Sequence, residues 1–338
     1  MVPVGQEGPD CRAPAPPCLP ADSTLMSDAE PDAAPEVRTA RVPSAQHLQR
    51  LDKLLVTMAP EFSRSHLQHL IEGGHVQLDG TPAATSSRKV RAGQQVQLEL
   101  VPTEESLAFR PEPMVLEVLF EDEHLLILNK PAGLVVHPAP GNWSGTLLNG
   151  LLAHHAAAAT LPRAGIVHRL DKDTSGVMMV GKSLPAVTAL TRDIAARTVH
   201  RRYLALAHGV PADTDFSIDA PIGRDPAVRV RMAVVAGGRP ARTSVRVVAA
   251  AQGLCALSCT LHTGRTHQIR VHLAWRGHPL VADAVYGGKP ALGIQRQALH
   301  AVELQLEHPV SREPMRFECP PPADFAEAWI GICPSPGK

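Results

Sequence analysis

The sequence predicts an α+β protein whose main domain has a mixed, mostly antiparallel sheet and follows a smaller α/β module. Three observations support this fold class. After residue 114, segments with strand-like alternation outnumber segments with apolar residues at helical spacing. Before residue 105, two short helical patterns are followed by short strand patterns. Finally, 338 residues with 44% hydrophobic content can bury a sizeable core, enough for one large domain or two domains.

The N-terminal segment, residues 1–46, differs in composition from everything that follows. It is rich in Pro, Ala, Asp and Glu, and its few apolar residues show neither helical nor strand periodicity. Such a segment cannot bury enough apolar surface to offset the entropy lost on ordering. We therefore expect residues 1–46 to be disordered.

Residues 47–105 have the pattern of a helix pair packed on a small sheet. The spacing of Leu51, Leu54 and Leu55 predicts the first helix, and Ser63 is a typical N-cap for the second. The dipeptide Asp79-Gly80 is typical of a hairpin turn between two strands. This module is followed by a predicted linker at residues 106–113.

Residues 114–330 are expected to form the large domain, and residues 331–338 a short tail. Strand patterns occur at 115–120, 125–128, 177–180, 203–208, 244–248, 254–261 and 298–306. Helical spacing of apolar residues predicts helices over 146–155, 183–196 and 266–276. Strands therefore dominate, with helices between some of them.

The apolar runs and the cysteines of the sequence indicate the cellular compartment in which we expect the protein. The sequence contains no run of about 18 apolar residues and no basic segment leading into an apolar one, so we expect neither a membrane span nor a secretory signal. Its six cysteines are scattered without a Cys-x-x-Cys pair, which is typical of idle thiols in a reducing compartment. The expectation is a cytoplasmic protein. The net charge of zero gives no indication of a nucleic-acid partner.

A charge-dense loop between Gly165 and Gly176 is the first candidate site. Within it, Asp171 lies among His168, Arg169 and Lys172. Neighbouring cations favour the ionised form of a carboxylate, which suits a nucleophile better than an acid. A charged surface turn is the alternative, because Asp-rich turns are common.

Two competing motifs are less consistent with their context. Residues 176–183 match the phosphate-binding pattern G-x-x-x-x-G-K-S, but Val177 to Val180 is an apolar run suited to a buried strand rather than a polar turn. Three histidines at positions 262, 267 and 272 recur every five residues, whereas zinc-binding helices use a spacing of four. We expect no catalytic metal.

The loop string His168-Arg169-Leu170-Asp171 resembles the catalytic motif of the RluA family of pseudouridine synthases. Three more segments resemble that family's motifs in the same order: 121–138 with 145–149, then 197–206 around Tyr203, and 264–272 followed by 277–283. The ordered matches cover about residue 117 to residue 325 and argue against chance. Within the family, the chain most resembles the type that acts on large-subunit rRNA.

Residues 47–105 resemble an S4 RNA-binding domain through three short strings, 50–55, 63–65 and 74–80. An S4 domain would contact RNA phosphates and position the protein without reading sequence. The alternative is an ordinary solvated basic face. The candidate phosphate contacts are Arg50, Lys53, Arg64, Arg88, Lys89 and Arg91.

The resemblance implies that the chain isomerises uridine to pseudouridine in 23S rRNA or in precursors of the large ribosomal subunit. Asp171 matches the nucleophile, Arg270 the arginine paired with it, and Tyr203 the tyrosine that stacks on the base and accepts the C5 proton. Arg169 matches the residue that replaces the flipped nucleotide in the RNA. His168 is a further candidate RNA contact, and Arg265, Asn129 and Lys130 are expected to be supporting residues or contacts to the RNA backbone.

The reaction needs no cofactor, and monomers are usual for this resemblance. One departure concerns the tyrosine motif, where Arg201 stands in place of the usual Lys; this keeps the charge but changes the hydrogen-bond geometry. The alternative function is a non-catalytic RNA-binding or ribosome-assembly factor with the same fold. Retention of Asp171, Tyr203 and Arg270 together argues against it.

Overall fold

A computed structural model describes residues 36–101, 108–228 and 231–333. The chain forms two compact units, which separate between Val101 and Pro102. The first unit contains a four-stranded antiparallel sheet and two helices. Its elements are β1 (Glu36–Arg41), α1 (Leu51–Met58), α2 (Arg64–Glu72), β2 (Val76–Leu78), β3 (Thr81–Pro82) and β4 (Gln95–Leu100). The strand order is β1-β4-β2-β3.

The local signals for this unit are confirmed. Ser63 caps α2 by accepting a hydrogen bond from the backbone N–H of His66 at 3.2 Å. The predicted hairpin joins β2 to β3. Leucines from both helices and Ile71 of α2 pack on the inner face of the sheet, where Val96 and Leu98 are fully buried. This core is formed entirely by residues of the first unit.

The disorder predicted for residues 1–46 is wrong over 36–46. Strand β1 pairs with β4 from Glu36 opposite Leu100 to Arg41 opposite Gln95, and Val42 is buried. The sequence pattern does not reveal this strand because its side chains are largely exposed and its order comes from backbone pairing with a partner about 60 residues away. Residues 1–35 lie outside the described part of the chain.

The second unit is built on a nine-stranded mixed sheet in the order β5-β6-β7-β14-β8-β13-β12-β9, with β15 paired to β14. These strands are β5 (Glu117–Glu121), β6 (Leu125–Lys130), β7 (Ser175–Gly181), β8 (His200–His208), β9 (Asp215–Asp219), β12 (Arg242–Ala251), β13 (Leu254–Leu261), β14 (Leu299–Glu307) and β15 (Pro314–Glu318). A separate hairpin is formed by β10 (Ile222–Arg224) and β11 (Met232–Val234). Only β14 and β7 pair in parallel among the described strands, so the predicted mixed, mostly antiparallel sheet is confirmed.

Four helices accompany this sheet: α3 (Leu147–His154), α4 (Leu184–Ala196), α5 (Gln268–Trp275) and α6 (Ala323–Ile332). The first three were predicted, and Thr146 and Ser183 cap α3 and α4. Helix α6 extends past residue 330, so the predicted end of the domain is too early. Strands β9, β10, β11 and β15 were not predicted; each has five residues or fewer.

The described part of the predicted linker, residues 108–113, is hydrogen-bonded to the second unit. The side-chain amide of Asn149, on α3, donates to the carbonyls of Ala108 and Arg110, and the backbone N–H of Glu112 donates to the Asn149 carbonyl. Ala108 is buried. Residues 108–113 therefore pack onto the large domain, whereas 102–107 lie outside the described residues. No helix in the described ranges is long and apolar enough to cross a membrane.

Candidate active site

The loop that carries Asp171 is held at both ends by glycines that no other residue can replace without rearrangement. A Cβ on Gly165 would lie 1.9 Å from the carbonyl oxygen of Gly181, and one on Gly176 would lie 2.1 Å from that of Ala301. Both glycines also have positive φ, at 84° and 120°. The loop can therefore enter and leave the sheet at these close backbone contacts.

Lys130 is hydrogen-bonded to the backbone of the same loop. Its ammonium group is fully buried and donates to the carbonyls of Pro131, Leu134 and Lys172 at 2.8, 2.9 and 2.9 Å. Burial lowers the pKa of Lys130 to about 8. All three donors bond to backbone carbonyls, which favours a supporting role for Lys130 over contact with RNA. It fixes the residue next to Asp171 instead.

Asp171 is hydrogen-bonded to Arg270, which lies on α5, 99 residues later in the sequence. An Nη1 hydrogen of Arg270 is donated to Asp171 Oδ2 at 3.1 Å. The same guanidinium donates to both carboxylate oxygens of Asp283, at 2.7 and 2.9 Å. Burial alone would lower the pKa of Arg270, but the hydrogen bonds that it donates to Asp283 and the charge of Asp171 raise that pKa above its ordinary value. Asp283 thus holds the arginine that holds Asp171.

Tyr203 lies on β8, where its side chain is buried and lines the same cavity as Asp171 and Arg270. Burial raises the pKa of its phenol. The cavity has a volume of about 900 Å³. Its wall also contains five arginines, which are Arg163, Arg169, Arg197, Arg201 and Arg265. A carboxylate, a tyrosine and a basic wall therefore surround one space.

The remaining predicted contacts divide into two groups. Arg169, His168 and Arg265 line the cavity, and Arg169 is exposed. His168 already accepts a hydrogen bond at Nε2 from the Met179 N–H at 3.0 Å, and burial lowers its pKa to about 3, so its ring is neutral. Asn129 is not among the lining residues. Its amide donates to Glu117 at 3.0 Å on the neighbouring strand, so Asn129 lies apart from this cavity and its contact with RNA stays a prediction.

Arg201 is the most unusual residue of the cavity wall. It is only 6% exposed, its Nε has no hydrogen-bond partner, and no carboxylate pairs with it among the described residues. Gly264 leaves room for it, because a Cβ there would lie 2.9 Å from Nη1. A buried cation without an anion is costly. This cost indicates that the cavity is suited to a ligand with negative charge or exposed carbonyl groups.

Asp171 is thus a partly buried, arginine-paired carboxylate in a basic cavity, and comparison with known proteins identifies the family. A family model for RNA pseudouridylate synthase matches residues 124–275, and one for the S4 domain matches residues 49–96. Ribosomal large subunit pseudouridine synthase D of Neisseria meningitidis serogroup B is 48% identical over 289 residues, or 82% of this chain and 76% of that protein. The protein of the same name from Xanthomonas campestris is 46% identical over 302 residues, or 86% and 90%.

The chain belongs to the RNA pseudouridylate synthase family. It is accordingly an isomerase that acts on RNA. Human RNA Pseudouridylate Synthase Domain Containing 4 shares the fold, with a TM-score of 0.50 and 23% identity over 63% of this chain and 91% of that one. The α+β class and the N-terminal S4 domain predicted from sequence are both confirmed.

In the S4 domain of this synthase, two arginines that were predicted to contact phosphates also bond to a carboxylate of the protein itself. Arg50 and Arg64 both donate to the fully buried carboxylate of Asp52, with contacts of 2.9 and 2.7 Å to Oδ2, and Gln68 donates at 2.8 Å. Each arginine remains nearly half exposed, so an RNA phosphate can still reach it. The other four predicted contacts are exposed: Lys53, Arg88, Lys89 and Arg91.

The three histidines weighed as metal ligands have separate partners in the synthase. His262 bonds Ser244 at 2.9 Å, His267 bonds Tyr286 at 2.9 Å, and His272 bonds Thr243 at 2.9 Å. No cluster of three or more histidine, cysteine or acidic residues suited to a metal occurs in the described ranges. In the other competing motif, residues 176–183, positions 176–181 form part of the buried strand β7 rather than a phosphate-binding turn.

Sequence reasoning assigned no role to Asp283, His267 or Tyr286 at this site. Asp283 lies within the resemblance segment, and its acidic character 13 residues after Arg270 was the available signal. His267 was considered only as a metal ligand. Tyr286 is one of just two tyrosines in the chain, and the other is Tyr203. Their scarcity is a usable signal, but only the folded chain shows what they contact.

Proposed function

We propose that this synthase converts specific uridines of large-subunit (23S) rRNA, or of precursor large subunits, to pseudouridine, with Asp171 as the nucleophile. The observation that carries the proposal is that Arg270 holds only Oδ2 of Asp171, at 3.1 Å, while the carboxylate lines the cavity. Its relatives named for the large subunit, at 46–48% identity, support the substrate class. The enzyme is proposed to act as a cytoplasmic monomer.

The chemistry requires one bond to break and one to form. The bond from ribose C1′ to N1 breaks, the base turns, and C1′ bonds to C5; the proton on C5 leaves and N1 gains one, so no atoms or electrons are lost. An ionised carboxylate can capture an electron-poor sugar carbon, as in retaining sugar hydrolases, or promote an elimination route. Both routes need Asp171 charged and oriented, which is the role of Arg270.

Tyr203 and the arginines are assigned the remaining steps. Tyr203 stacks on the base and accepts the C5 proton. The exposed Arg169 occupies the place that the flipped uridine leaves in the RNA, because reaching C1′ and C5 requires extrusion of the nucleotide. Arg201, which has no carboxylate partner among the described residues, would bind a phosphate of the RNA backbone, as would the basic residues of the S4 domain.

The test is carbodiimide mapping of pseudouridines in total rRNA and tRNA from a strain that lacks the gene, complemented with wild type, Asp171→Asn or Asp173→Asn. Asp173 lies in the same loop but outside the cavity wall and is the matched control. We expect specific large-subunit sites to disappear and to return with wild type and Asp173→Asn only. Restoration by Asp171→Asn would refute the nucleophile, and loss confined to tRNA would refute the substrate.

A further inference from the structure

His267 lies against the side of Asp171 that Arg270 leaves open. Its Nε2 is 3.8 Å from Asp171 Oδ1, and Arg270 bonds Oδ2. The ring is mostly buried and lines the same cavity. The two oxygens of the carboxylate therefore face two different nitrogen donors.

The other nitrogen of His267 is bound in a hydrogen-bond chain. Its Nδ1 lies 2.9 Å from the hydroxyl of Tyr286, and that hydroxyl accepts a hydrogen bond from the backbone N–H of Met232 at 3.2 Å. Because the Tyr286 oxygen already receives one hydrogen, its own hydrogen can be donated to Nδ1. A neutral imidazole that accepts at Nδ1 carries its hydrogen on Nε2. Burial lowers the pKa of His267, which favours the neutral ring.

The backbone conformation of His267 and a second contact of Tyr286 both support this arrangement. His267 has φ of 56° and ψ of 24°, a left-handed conformation that is unfavourable for a residue with a side chain. The ring of Tyr286 also lies below Arg270, with the guanidinium carbon 5.1 Å from the ring centre. One tyrosine thus supports both residues that face Asp171.

We propose that His267 is a positioning residue that donates from Nε2 to Oδ1 of Asp171, and that Tyr286 fixes the tautomer it needs. The inference rests on the proposed role of Asp171. At 3.8 Å the contact is longer than a hydrogen bond, and a closure of about 0.8 Å would form one; hydrogen bonds in catalytic sites often tighten when substrate binds. Held at both oxygens, the carboxylate cannot rotate away from the sugar.

Three variants separate donation from packing. His267→Leu removes the donor, His267→Gln retains an N–H at the end of the side chain, and Tyr286→Phe removes only the hydroxyl and keeps the ring below Arg270. The assay is release of tritium from 5-³H-uridine in rRNA isolated from the deletion strain, measured for kcat and KM. His154→Gln, on α3 and outside the cavity wall, is the matched control.

We expect His267→Leu and Tyr286→Phe to lower kcat about tenfold, the loss of one ordinary hydrogen bond, with KM unchanged. His267→Gln should recover most of the rate, and His154→Gln should match wild type. Selective ¹⁵N labelling of histidine should show His267 protonated at Nε2 in wild type and a mixture of tautomers in Tyr286→Phe.

Three results would overturn the inference: wild-type kcat in His267→Leu, a rate in His267→Gln as low as in His267→Leu, or a wild-type ring protonated at Nδ1. Asp171→Asn in the same assay keeps the two proposals apart. If Asp171→Asn is inactive and His267→Leu is fully active, only the positioning role fails. If Asp171→Asn releases tritium at the wild-type rate, the proposed nucleophile itself is wrong.

Discussion

Each unit of the synthase contains an aspartate held by arginine, and the two differ in how completely they are held. Asp52 in the S4 domain is fully buried, and donors from Arg50, Arg64 and Gln68 occupy both of its oxygens. Asp171 is 14% exposed, and its single hydrogen bond to an arginine involves an Arg270 that is shared with Asp283.

If Asp171 is the nucleophile, as we propose, the difference indicates how the same residue types give a structural or a reactive carboxylate. A carboxylate whose lone pairs are all occupied stabilises a fold, because breaking it exposes several charged groups at once. A carboxylate that faces a cavity and accepts at most one hydrogen bond on each oxygen retains a lone pair for chemistry. Arg270 donates two hydrogen bonds to Asp283 and one to Asp171, so Asp283 fixes the arginine while Asp171 keeps unoccupied lone pairs. The contrast leads to three predictions.

The largest effect concerns matched Asp→Asn substitutions at the two sites. We expect Asp171→Asn to lower kcat by more than about 1000-fold, because the amide is a poor nucleophile, while thermal stability stays close to wild type. Asp52→Asn should leave kcat on saturating RNA unchanged. Tritium release and thermal unfolding of both full-length variants would check this. A large fall in kcat for Asp52→Asn would break the distinction between the two carboxylates.

A smaller effect is expected at Asp283. Asp283→Asn keeps the shape of the side chain but removes the charge that fixes Arg270, so Arg270 can turn and pair more fully with Asp171. We expect kcat to fall about 10- to 100-fold with little change in KM, as for the loss of one charge-assisted hydrogen bond. Asp324→Asn, whose carboxylate pairs with Arg296, is the matched control. Equal effects of the two variants would show that Asp283 contributes only stability.

Much of the candidate site and some of the fold could be predicted from local patterns, because a motif keeps its residues within a short string. The loop of Asp171 with the two glycines at its ends, and the helix cap at Ser63, are of this kind. Local patterns could not show that Lys130 is buried, since its three carbonyl partners become apparent only when the loop folds over it.

Long-range partners explain the other errors. Strand β1 is ordered by pairing with β4, and the chain from Met232 through Tyr286 to His267 joins residues up to 54 positions apart. Nothing in the spacing of these residues indicates that they meet. Prediction from one sequence therefore works best where the chemistry of a site lies within one loop, and fails where backbone pairing or a hydrogen-bond chain brings distant residues together.

The smallest effect is a pH dependence confined to the S4 domain. The hydrogen bond from Arg50, helped by Arg64 and Gln68, holds the pKa of Asp52 well below its usual range. A depressed carboxylate pKa contributes stability above the unfolded value, about 3.9, and loses it as pH falls through the folded value. At neutral pH, Asp52→Asn should destabilise this unit by about 2–4 kcal/mol.

The gap between wild type and Asp52→Asn should therefore narrow as the pH drops below about 4, because only the wild type then loses its carboxylate. Hydrogen exchange of peptides from α1 and α2 in the full-length chain, compared at equal pH, measures the gap without interference from the catalytic unit. Glu72→Gln, at an exposed position at the end of α2 in the same unit, is the control. A gap that stays constant from pH 7 to pH 2 would mean that the amide keeps the same bonds, and that Asp52 stabilises the domain by shape rather than charge.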